Sequence, residues 1–435
     1  MATTIPTPTE RPSTAPAPAP KAAAKPKPRR VNVRTREVME LVQAEVENHY
    51  RSEVVEALRQ QGGIVSVGNT TIRLAKQFGF CYGVERAIDL AYAARRVFPD
   101  KRLFLIGEII HNPEVNRQLG EMKIETLEWR EADANYEDLT EDDVVIVPAF
   151  GASIPIMDKL QDRGCAIVDT TCGDVMSVWK RVRQYAKDGR TSIIHGKASH
   201  EETLATSSRA RGDDRSGHYL VLLTLDDVDY VADYIRHGGD REAFLQRFEG
   251  GHSQGFDPDT HLTQVGVANQ TTMLKSETEE LQRRIAAAVA DRDGPELAAE
   301  NFRVFDTICG ATQERQDALF DLLRKPMDLL LVVGGYNSSN TSHLVEIGEQ
   351  QLPTFFIRNA ECLKSLEEIV HFDLHSKAER SSYSEQLLRD EPIIVGITAG
   401  ASCPSNLIED TILRVMQLRG LGAEPLRRAL GLAAA

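Results

Sequence analysis

The chain has 435 residues, and its 51 lysines and arginines against 65 aspartates and glutamates give a formal net charge of −14. This acidic balance argues against general nucleic-acid binding, although a local site can still bind a small anion. No apolar stretch approaches the roughly 20 residues that a membrane-spanning helix needs, so no membrane partner is expected. A chain of this length buries a large core and divides into two or three domains.

The first residues differ in composition from the rest of the chain. The segment from Met1 to Arg34 is rich in Pro, Ala, Thr and Lys and lacks the apolar core of a secretory signal. We interpret it as a disordered tail, with a transit peptide as the alternative. Six cysteines without close pairs indicate a reduced protein. The expected location is the cytoplasm, or the plastid stroma if the tail is a transit peptide.

Beyond the tail, the hydrophobic pattern predicts a helix from about Thr35 to Gln61, followed by a recurring unit of strand, polar loop and helix. The predicted strands are Leu103–Ile106, Val144–Val147, Ala166–Val168, Thr191–Ile194, Gln264–Val267, Arg303–Phe305, Leu329–Val333 and Ile393–Ile397. Strands that alternate with helices predict an α/β fold with mostly parallel sheets. In such sheets ligands bind beyond the carboxyl ends of the strands, where these polar loops lie.

Three cysteines, Cys81, Cys172 and Cys309, share one setting, because each lies where an apolar run ends and a helical pattern begins. A structural zinc site favours paired ligands such as Cys-x-x-Cys, which the sequence lacks. A thiol nucleophile would use only one of the three. An iron–sulfur cluster held by three thiolates uses all of them and leaves one iron open, so we favour the cluster. The other cysteines are interpreted as buried apolar residues: Cys165, Cys362 and Cys403.

Three polar loops that follow predicted strands are candidate anion sites. They are Asn269–Thr272, Asn337–Thr341 and Thr398–Ser402. N–H groups at the start of a helix, together with small hydroxyl residues, form a phosphate-sized site. The sequence has neither a P-loop nor a dinucleotide-binding fingerprint, so the expected anion is not a nucleotide.

Two histidines, His111 and His200, lie in equivalent loops, and a carboxyl group beside an anion site can handle protons. Both Glu201 and Glu202 are candidates for that role, and helical spacing alone does not choose between them.

Together, these motifs resemble the LytB/IspH family of 4-hydroxy-3-methylbut-2-enyl diphosphate reductases, in particular the longer plant and cyanobacterial type. The matching motifs lie between Thr71 and Met416, and they are Phe78–Ile88, Glu108–Pro113, Asp169–Cys172, Asn269–Thr272, Cys309–Gln316, Asn337–Asn340 and Thr398–Ser402. The resemblance implies three α/β domains around a central [4Fe-4S] cluster that has three cysteine ligands and one open iron site. The expected bounds are 1–34 for the tail, 35–70 for a helical extension, 71–171, 172–308 and 309–418 for the domains, and 419–435 for a C-terminal tail.

The resemblance also implies roles for individual residues. Cys81, Cys172 and Cys309 would be the cluster ligands, and Glu202 would deliver a proton with the help of Thr271. The diphosphate substrate and its hydroxyl group would be bound by polar residues of the strand-end loops: His111, His200, Thr271, Thr272, Thr312, Ser338, Ser339, Asn340 and Ser402.

The implied activity is reductive dehydroxylation of 4-hydroxy-3-methylbut-2-enyl diphosphate to isopentenyl and dimethylallyl diphosphates, the last step of the non-mevalonate pathway. The electrons would come from a donor such as ferredoxin or flavodoxin. An iron–sulfur hydro-lyase that acts on another small anionic substrate is the alternative, and a cluster-based redox sensor is a second one.

Two positions depart from the family pattern: Phe150 stands where many members have a histidine, and Gly173 stands where a proline often follows the second cysteine. Because Phe150 cannot donate to phosphate, that contact is expected to be absent or replaced.

Overall fold

The computed structural model describes residues 29–130, 132–305, 307–383 and 391–433. The strands are β1 (Arg29–Arg30), β2 (Ile64–Val67), β3 (Thr70–Leu74), β4 (Leu103–Ile106), β5 (Ile124–Leu127), β6 (Val144–Val147), β7 (Ala166–Asp169), β8 (Thr191–His195), β9 (Tyr219–Leu222), β10 (Val265–Asn269), β11 (Phe302–Val304), β12 (Leu329–Val333), β13 (Thr354–Ile357), β14 (Glu368–Asp373), β15 (Ala378–Tyr383) and β16 (Ile393–Ala399). The helices are α1 (Arg36–Tyr50), α2 (Glu53–Gln60), α3 (Tyr82–Val97), α4 (Pro113–Glu121), α5 (Ile154–Arg163), α6 (Gly173–Lys187), α7 (Glu201–Ala210), α8 (Leu225–His237), α9 (Arg241–Arg247), α10 (Pro258–His261), α11 (Lys275–Asp293), α12 (Pro295–Asn301), α13 (Gly310–Leu323), α14 (Ser339–Glu349), α15 (Ser405–Leu418) and α16 (Ala423–Ala429).

In the part of the chain that the structure describes, the strands form three larger sheets and one hairpin. The first sheet has the order β1-β7-β6-β4-β5, and the second has the order β11-β10-β8-β9. The third has the order β13-β12-β16-β3-β2, and all pairings in the three sheets are parallel except that of β2 with β3. All residues of β4, β6, β8, β10 and β12 are buried, as is usual for parallel strands covered by helices on both faces. The prediction of an α/β fold with mostly parallel sheets is confirmed.

The third sheet differs from the arrangement expected from the sequence. Strand β3, which was expected at the start of the first domain, pairs in parallel with β16 from the far end of the chain. The segment 35–70 is not wholly helical, because β2 lies within it and pairs with β3. The predicted helix from Thr35 to Gln61 is two helices, since Ser52 caps the start of α2 by accepting a hydrogen bond from the Val55 N–H at 2.9 Å.

The end of the expected tail is ordered. Arg29 and Arg30 pair with β7 at the edge of the first sheet, and the Val31 N–H donates to the Ile167 carbonyl at 2.9 Å. Val33 is buried against α3, so the prediction of a tail that extends to residue 34 is wrong for residues 29–34. Residues 1–28 of the predicted tail lie outside the described residues. Within the described part of the chain, no helix combines the length and apolar character needed to cross a membrane.

Candidate active site

Each of the three candidate ligand cysteines is the N-cap residue of a helix. Cys81 precedes α3, Cys172 precedes α6 and Cys309 precedes α13, all with extended backbone angles. These helices follow β3 of the third sheet, β7 of the first and β11 of the second, so each sheet contributes one cysteine. The N-terminus of a helix carries partial positive charge, which favours a thiolate over a thiol.

The three cysteines line one cavity of about 620 Å³. A Cβ atom added to Gly83 would lie 2.6 Å from the Cys172 sulfur and 3.9 Å from the Cys81 sulfur, so these two side chains converge on the same point. The Cys309 sulfur accepts a hydrogen bond from the Thr312 N–H at 3.3 Å. In the described chain, no other cysteine lines this cavity. Three convergent sulfur ligands fit an iron–sulfur cluster with one iron left open.

Burial opposes ionisation of these thiols when no metal neutralises them. Loss of solvent raises the pKa of Cys172 above its usual value and raises that of Cys309 to about 11, against smaller opposing effects of local hydrogen bonds. The nearby Cys81 sulfur adds to both shifts, because neighbouring thiolates repel one another. A positively charged metal centre removes this repulsion, which agrees with the fit of the three sulfurs to a cluster.

We expect Gly83→Ala to lower the iron content of the protein. The added Cβ would lie closer to the Cys172 sulfur than atoms in van der Waals contact can approach, so the thiol must turn away. Metal analysis and the visible spectrum of anaerobically purified protein measure this loss. Gly120→Ala in α4 is the matched control, because no heavy atom lies within 4 Å of its added Cβ. It should keep the full iron content and gain about 0.5–1 kcal/mol of stability, and equal iron in both variants would contradict the expectation.

Glu202, the second residue of α7, is the buried carboxyl group of the cavity, with only 2% of the residue exposed. Its Oε1 accepts a hydrogen bond from the Thr271 N–H at 2.6 Å, and the Thr271 hydroxyl lies 3.0 Å from Oε2. Burial raises the pKa of Glu202 to about 7, although the two hydrogen bonds from Thr271 act in the opposite direction. Glu202 is therefore able to hold or release a proton near neutral pH.

His200 is a neutral imidazole with a fixed tautomer. It caps α7, and its Nδ1 accepts a hydrogen bond from the Glu202 N–H at 3.1 Å, so the ring proton is on Nε2. Burial holds the pKa of His200 well below its usual value. The Nε2 atoms of His200 and His111 are 3.2 Å apart, so His200 donates and His111 accepts. The ring proton of His111 is then on Nδ1 and is donated to Glu108 Oε2 at 2.9 Å.

This tautomer disfavours a metal ion at the two histidines. Ligand atoms of His111, His200 and Glu201 lie within 4.8 Å of one another, which is close enough to hold an ion. However, Nδ1 of His200 accepts a hydrogen bond from the backbone, so the only ring proton is on Nε2. His200 could bind a metal through Nε2 only by losing that proton. The His200 Nε2–H is therefore better suited to donate a hydrogen bond than to coordinate a cation.

Glu202 lines the cavity, whereas the alternative candidate Glu201 does not. All thirteen residues to which the family resemblance assigns a role line it: Cys81, His111, Cys172, His200, Glu202, Thr271, Thr272, Cys309, Thr312, Ser338, Ser339, Asn340 and Ser402. Asn340 Oδ1 accepts from the Ala401 N–H at 2.9 Å, and its buried Nδ2 has no hydrogen-bond partner among the described residues. Ser402 donates to the His111 carbonyl at 3.1 Å, which joins two of the loops. A buried donor without a partner is costly unless a ligand accepts from it, so the Asn340 amide indicates an anion site.

Sequence reasoning missed several residues that shape the site. The Gln270 amide donates to the Thr272 hydroxyl at 2.8 Å and to the Ser339 hydroxyl at 3.1 Å. The Arg315 guanidinium is buried and donates through Nε to the Gly79 carbonyl at 3.2 Å, which holds the loop before Cys81. Both lie within motifs that the sequence analysis singled out, but the Ser339 partner of Gln270 and the Gly79 partner of Arg315 are distant in sequence and leave no local signal.

The predicted departure at Phe150 has a clear structural consequence. Its ring stacks on His111, with ring centroids 4.2 Å apart and an angle of 21° between the planes. The Phe150 ring also contacts the His200 ring in an edge-to-face arrangement, with ring centroids 5.8 Å apart. An apolar ring therefore occupies the position next to the histidine pair, and Phe150 itself supplies no hydrogen-bond donor there.

Comparison with known proteins agrees with these motifs. The model of the LytB protein family matches residues 72–416. The 4-hydroxy-3-methylbut-2-enyl diphosphate reductase of Synechococcus sp. is 46% identical over 379 residues, which cover 87% of this chain and 93% of that protein. The reductase of the same name from Gloeobacter violaceus is 47% identical over 386 residues, covering 88% and 91% respectively. The solved E-1-hydroxy-2-methyl-but-2-enyl-4-diphosphate reductase of Plasmodium falciparum shares the fold, with a TM-score of 0.57 and 21% identity over 78% of this chain and 86% of that chain. The chain belongs to the LytB family.

Proposed function

We propose that this chain is a 4-hydroxy-3-methylbut-2-enyl diphosphate reductase that forms isopentenyl and dimethylallyl diphosphates. The observation that supports this most directly is the single cavity shared by three convergent thiols, a buried proton-holding carboxyl group and several hydrogen-bond donors. A hydro-lyase would also use an open iron, but the protein's relatives carry the name of the reductase.

We propose that Cys81, Cys172 and Cys309 hold one [4Fe-4S] cluster at the junction of three α/β domains. Each domain corresponds to one of the three sheets and supplies one helix with its capping cysteine. The expected domain bounds are revised in two respects. Strand β3 pairs with β16 and β2 pairs with β3, so residues 64–74 belong to the third domain. The expected tail 419–435 contains α16, whose Leu426 is buried in the core of the same domain, so the prediction of a tail is wrong for this helix. When bound, the cluster supplies single electrons and an open iron that acts as a Lewis acid.

Glu202 and Thr271 form a short path for the proton that leaves with the substrate hydroxyl as water. With Glu202 protonated, Oε2 donates to the Thr271 hydroxyl, which is 3.0 Å away, and the Thr271 proton then points into the cavity. The hydrogen bond from the Thr271 N–H to Oε1 fixes the orientation of the carboxyl group, so that Oε2 faces the Thr271 hydroxyl. Such placement of a proton donor near its acceptor is the main contribution of these two residues.

The diphosphate is held by neutral donors and histidine rather than by lysine. Ser338 caps α14, and Ser339 and Asn340 occupy its first turn, where free N–H groups and the helix dipole favour an anion. His111, His200, Thr272 and Ser402 approach from the other loops of the cavity. Thr312, whose hydroxyl lies 3.3 Å from the Cys309 sulfur, is proposed to act in the polar network near the substrate hydroxyl.

The overall reaction consumes two electrons and two protons and releases water, so it requires an external electron donor. We propose a small one-electron carrier such as ferredoxin or flavodoxin. Tyr82, the residue after Cys81, is 76% exposed, which places the cysteine loop close to the surface where such a carrier could dock.

We expect anaerobic protein with a one-electron chemical reductant to convert 4-hydroxy-3-methylbut-2-enyl diphosphate to both five-carbon diphosphates. Its kcat should fall by about tenfold per pH unit above pH 7, because only protonated Glu202 can donate. The sign follows from the shift, since the pKa of Glu202 is raised to about 7 and the proton is lost as the pH rises through that value. Product analysis by chromatography across pH 6 to 9 measures both the activity and its profile.

The same assay separates the reductase from its alternative. A reductase gives no product when the reductant is omitted, whereas a hydro-lyase needs no external electrons. Turnover that continues without reductant would contradict the proposed function. A flat kcat profile between pH 6 and 9 would leave the activity intact but remove Glu202 from the proton path.

A further inference from the structure

Two of the three cavity cysteines meet in the third domain. Cys81 follows strand β3 of its sheet, and Cys309 caps helix α13, which packs into the core of the same domain through Leu319 and Leu322. The relative position of these two thiols therefore depends on how α13 is held against the loop that follows β3. Arg315, in the second turn of α13, makes that contact.

The Arg315 guanidinium donates to the loop before Cys81 through two of its nitrogens. Nε and Nη2 donate to the Gly79 carbonyl at 3.2 and 2.5 Å, and Nη1 donates to the Ala311 carbonyl in its own helix at 2.8 Å. Gly79 has a φ of +78°, which glycine adopts far more readily than other residues, so the loop turns sharply at the point that Arg315 holds. Arg315 thus fixes the Cys81 loop to the helix that Cys309 caps.

The positive charge of Arg315 is buried without an ion-pair partner among the described residues. Only 4% of the residue is exposed, and its hydrogen bonds within the described chain go to backbone carbonyls. Charged side chains are almost never buried unless they are paired. A guanidinium also stays protonated in proteins, so loss of the proton does not relieve this cost. The buried charge therefore indicates that a negative group completes the site.

The thiols of Cys81 and Cys309 lie close enough to supply that negative charge. Burial lowers the pKa of the Arg315 guanidinium, whereas negative charge on Cys81 and Cys309 raises it. Glu314 also attracts the guanidinium, but this side chain is exposed, so water screens its charge. Arg315 lines the same cavity as the three cysteines. Thiolates bound to a [4Fe-4S] cluster give the centre a net negative charge, and reduction by one electron adds to it.

We propose that Arg315 is the counter-charge of the metal centre, a positioning residue that holds the Cys81 loop and whose positive charge favours the reduced state of the cluster. This inference rests on the proposed function, because it requires the cluster that the three cysteines are proposed to hold. A positive charge in a site with little water stabilises the more negative of two states. The reduction potential is therefore higher than it would be with a neutral side chain at position 315, and a weaker electron donor suffices.

A second arginine holds the same loop but lacks the buried charge. Arg59 Nη2 donates to the Phe78 carbonyl at 3.0 Å, next to the carbonyl that Arg315 holds. The Arg59 side chain is 33% exposed and pairs with Glu56 at 3.4 Å, and it does not line the cavity. Solvent and the carboxylate both screen its charge. Arg59 therefore provides a contact to the loop without an unpaired charge beside the thiols.

The proposal is tested by the midpoint potential of the anaerobic holoenzyme without substrate. Dithionite is oxidised and transfers one electron to the cluster, and visible absorption follows this titration in the presence of redox mediators. Arg315→Gln should lower the equilibrium constant of the reduction by at least about tenfold, which is about 59 mV for one electron. Arg315→Lys keeps the charge but not the planar fork, so it should stay within about threefold of wild type. Arg59→Gln is the matched control, because it removes one positive charge from the same loop, and it should also stay within about threefold.

An unchanged potential in Arg315→Gln would overturn the proposal. So would an equal fall in Arg315→Lys, which would assign the effect to the hydrogen-bond geometry, or an equal fall in Arg59→Gln, which would assign it to the loop. Wild-type protein without a cluster would overturn the proposed function together with this inference.

Retention of the cluster provides a second readout. If Arg315→Gln does not hold the cluster, Arg315→Met takes its place in the titration, because it fills similar space without a charge. Should both neutral variants lose iron and sulfide, full retention in Arg315→Lys would support the role of the charge. Loss of the cluster in all three variants would overturn it, since the charge alone would then not sustain the site.

Discussion

Glu202→Gln should lower turnover by about 100-fold or more, while the cluster and the affinity for the diphosphate remain. Glutamine has nearly the same shape and can still accept the hydrogen bond that the Thr271 N–H donates to Oε1 at 2.6 Å. Its amide cannot release a proton, however, and general acid catalysis contributes about 10²–10⁴ in rate. Single-turnover kinetics with pre-reduced protein, together with calorimetric binding of isopentenyl diphosphate, would measure the two quantities separately.

Two other variants define how this result is interpreted. Glu277→Gln is the matched control. Glu277 is also a glutamate in the first turn of a helix, and burial raises the pKa of its carboxyl group. It does not line the cavity. It should retain normal turnover. Thr271→Val should share the defect of Glu202→Gln because it removes the hydroxyl group between the carboxyl and the cavity. Normal turnover in Glu202→Gln would assign proton delivery to another residue.

The parts of the fold that the sequence predicted are those determined by local pattern. Leu103–Ile106 and Val144–Val147 are continuous apolar runs, and the structure has strands with the same bounds. Strand β3 also has an alternating pattern, but its partner β16 lies more than 300 positions away, and no local signal reveals such a pairing. Arg29 and Arg30 have no strand signal at all, since their position depends on the exposed edge of β7 and on the ion pair of Arg30 with Asp169.

The candidate site divides in the same way. The residue pattern drew attention to the three cysteines, the two histidines and the polar loops at the strand ends. The family resemblance then assigned roles to thirteen individual residues, all of which line one cavity. The hydrogen-bond directions within that cavity were not predictable, because they depend on contacts between distant loops. The tautomer of His200 follows from a local contact, since its Nδ1 accepts from the Glu202 N–H in the same helix. The contact of His111 with His200 depends instead on two loops that are distant in sequence. The effect of Phe150 is likewise visible only once its ring is seen against His111.

Replacing any one of the three cavity cysteines by serine should remove most of the iron and lower turnover by at least about 100-fold. Cys309→Ser is a clear case, because the Cys309 sulfur accepts a hydrogen bond from the Thr312 N–H, and a serine hydroxyl can accept the same bond, so the local structure can persist without the metal. A serine hydroxyl stays protonated at neutral pH and is a poor ligand for cluster iron, which prefers thiolates. Iron and sulfide analysis and the visible absorption of anaerobic protein measure the loss.

Cys403→Ser is the matched control for this effect. Cys403 is fully buried in the loop that carries Ser402, and its sulfur contacts the Pro404 carbonyl at 3.6 Å, but it does not line the cavity. Burial raises the pKa of this thiol well above its usual value, so it is held as a neutral apolar group. The variant should lose about 1–2 kcal/mol of stability from burying a hydroxyl and keep full iron and activity. Full iron in Cys309→Ser, or loss of iron in Cys403→Ser, would mean that the set of ligand residues is different. Colourless wild-type protein that contains stoichiometric zinc would rule out the cluster itself.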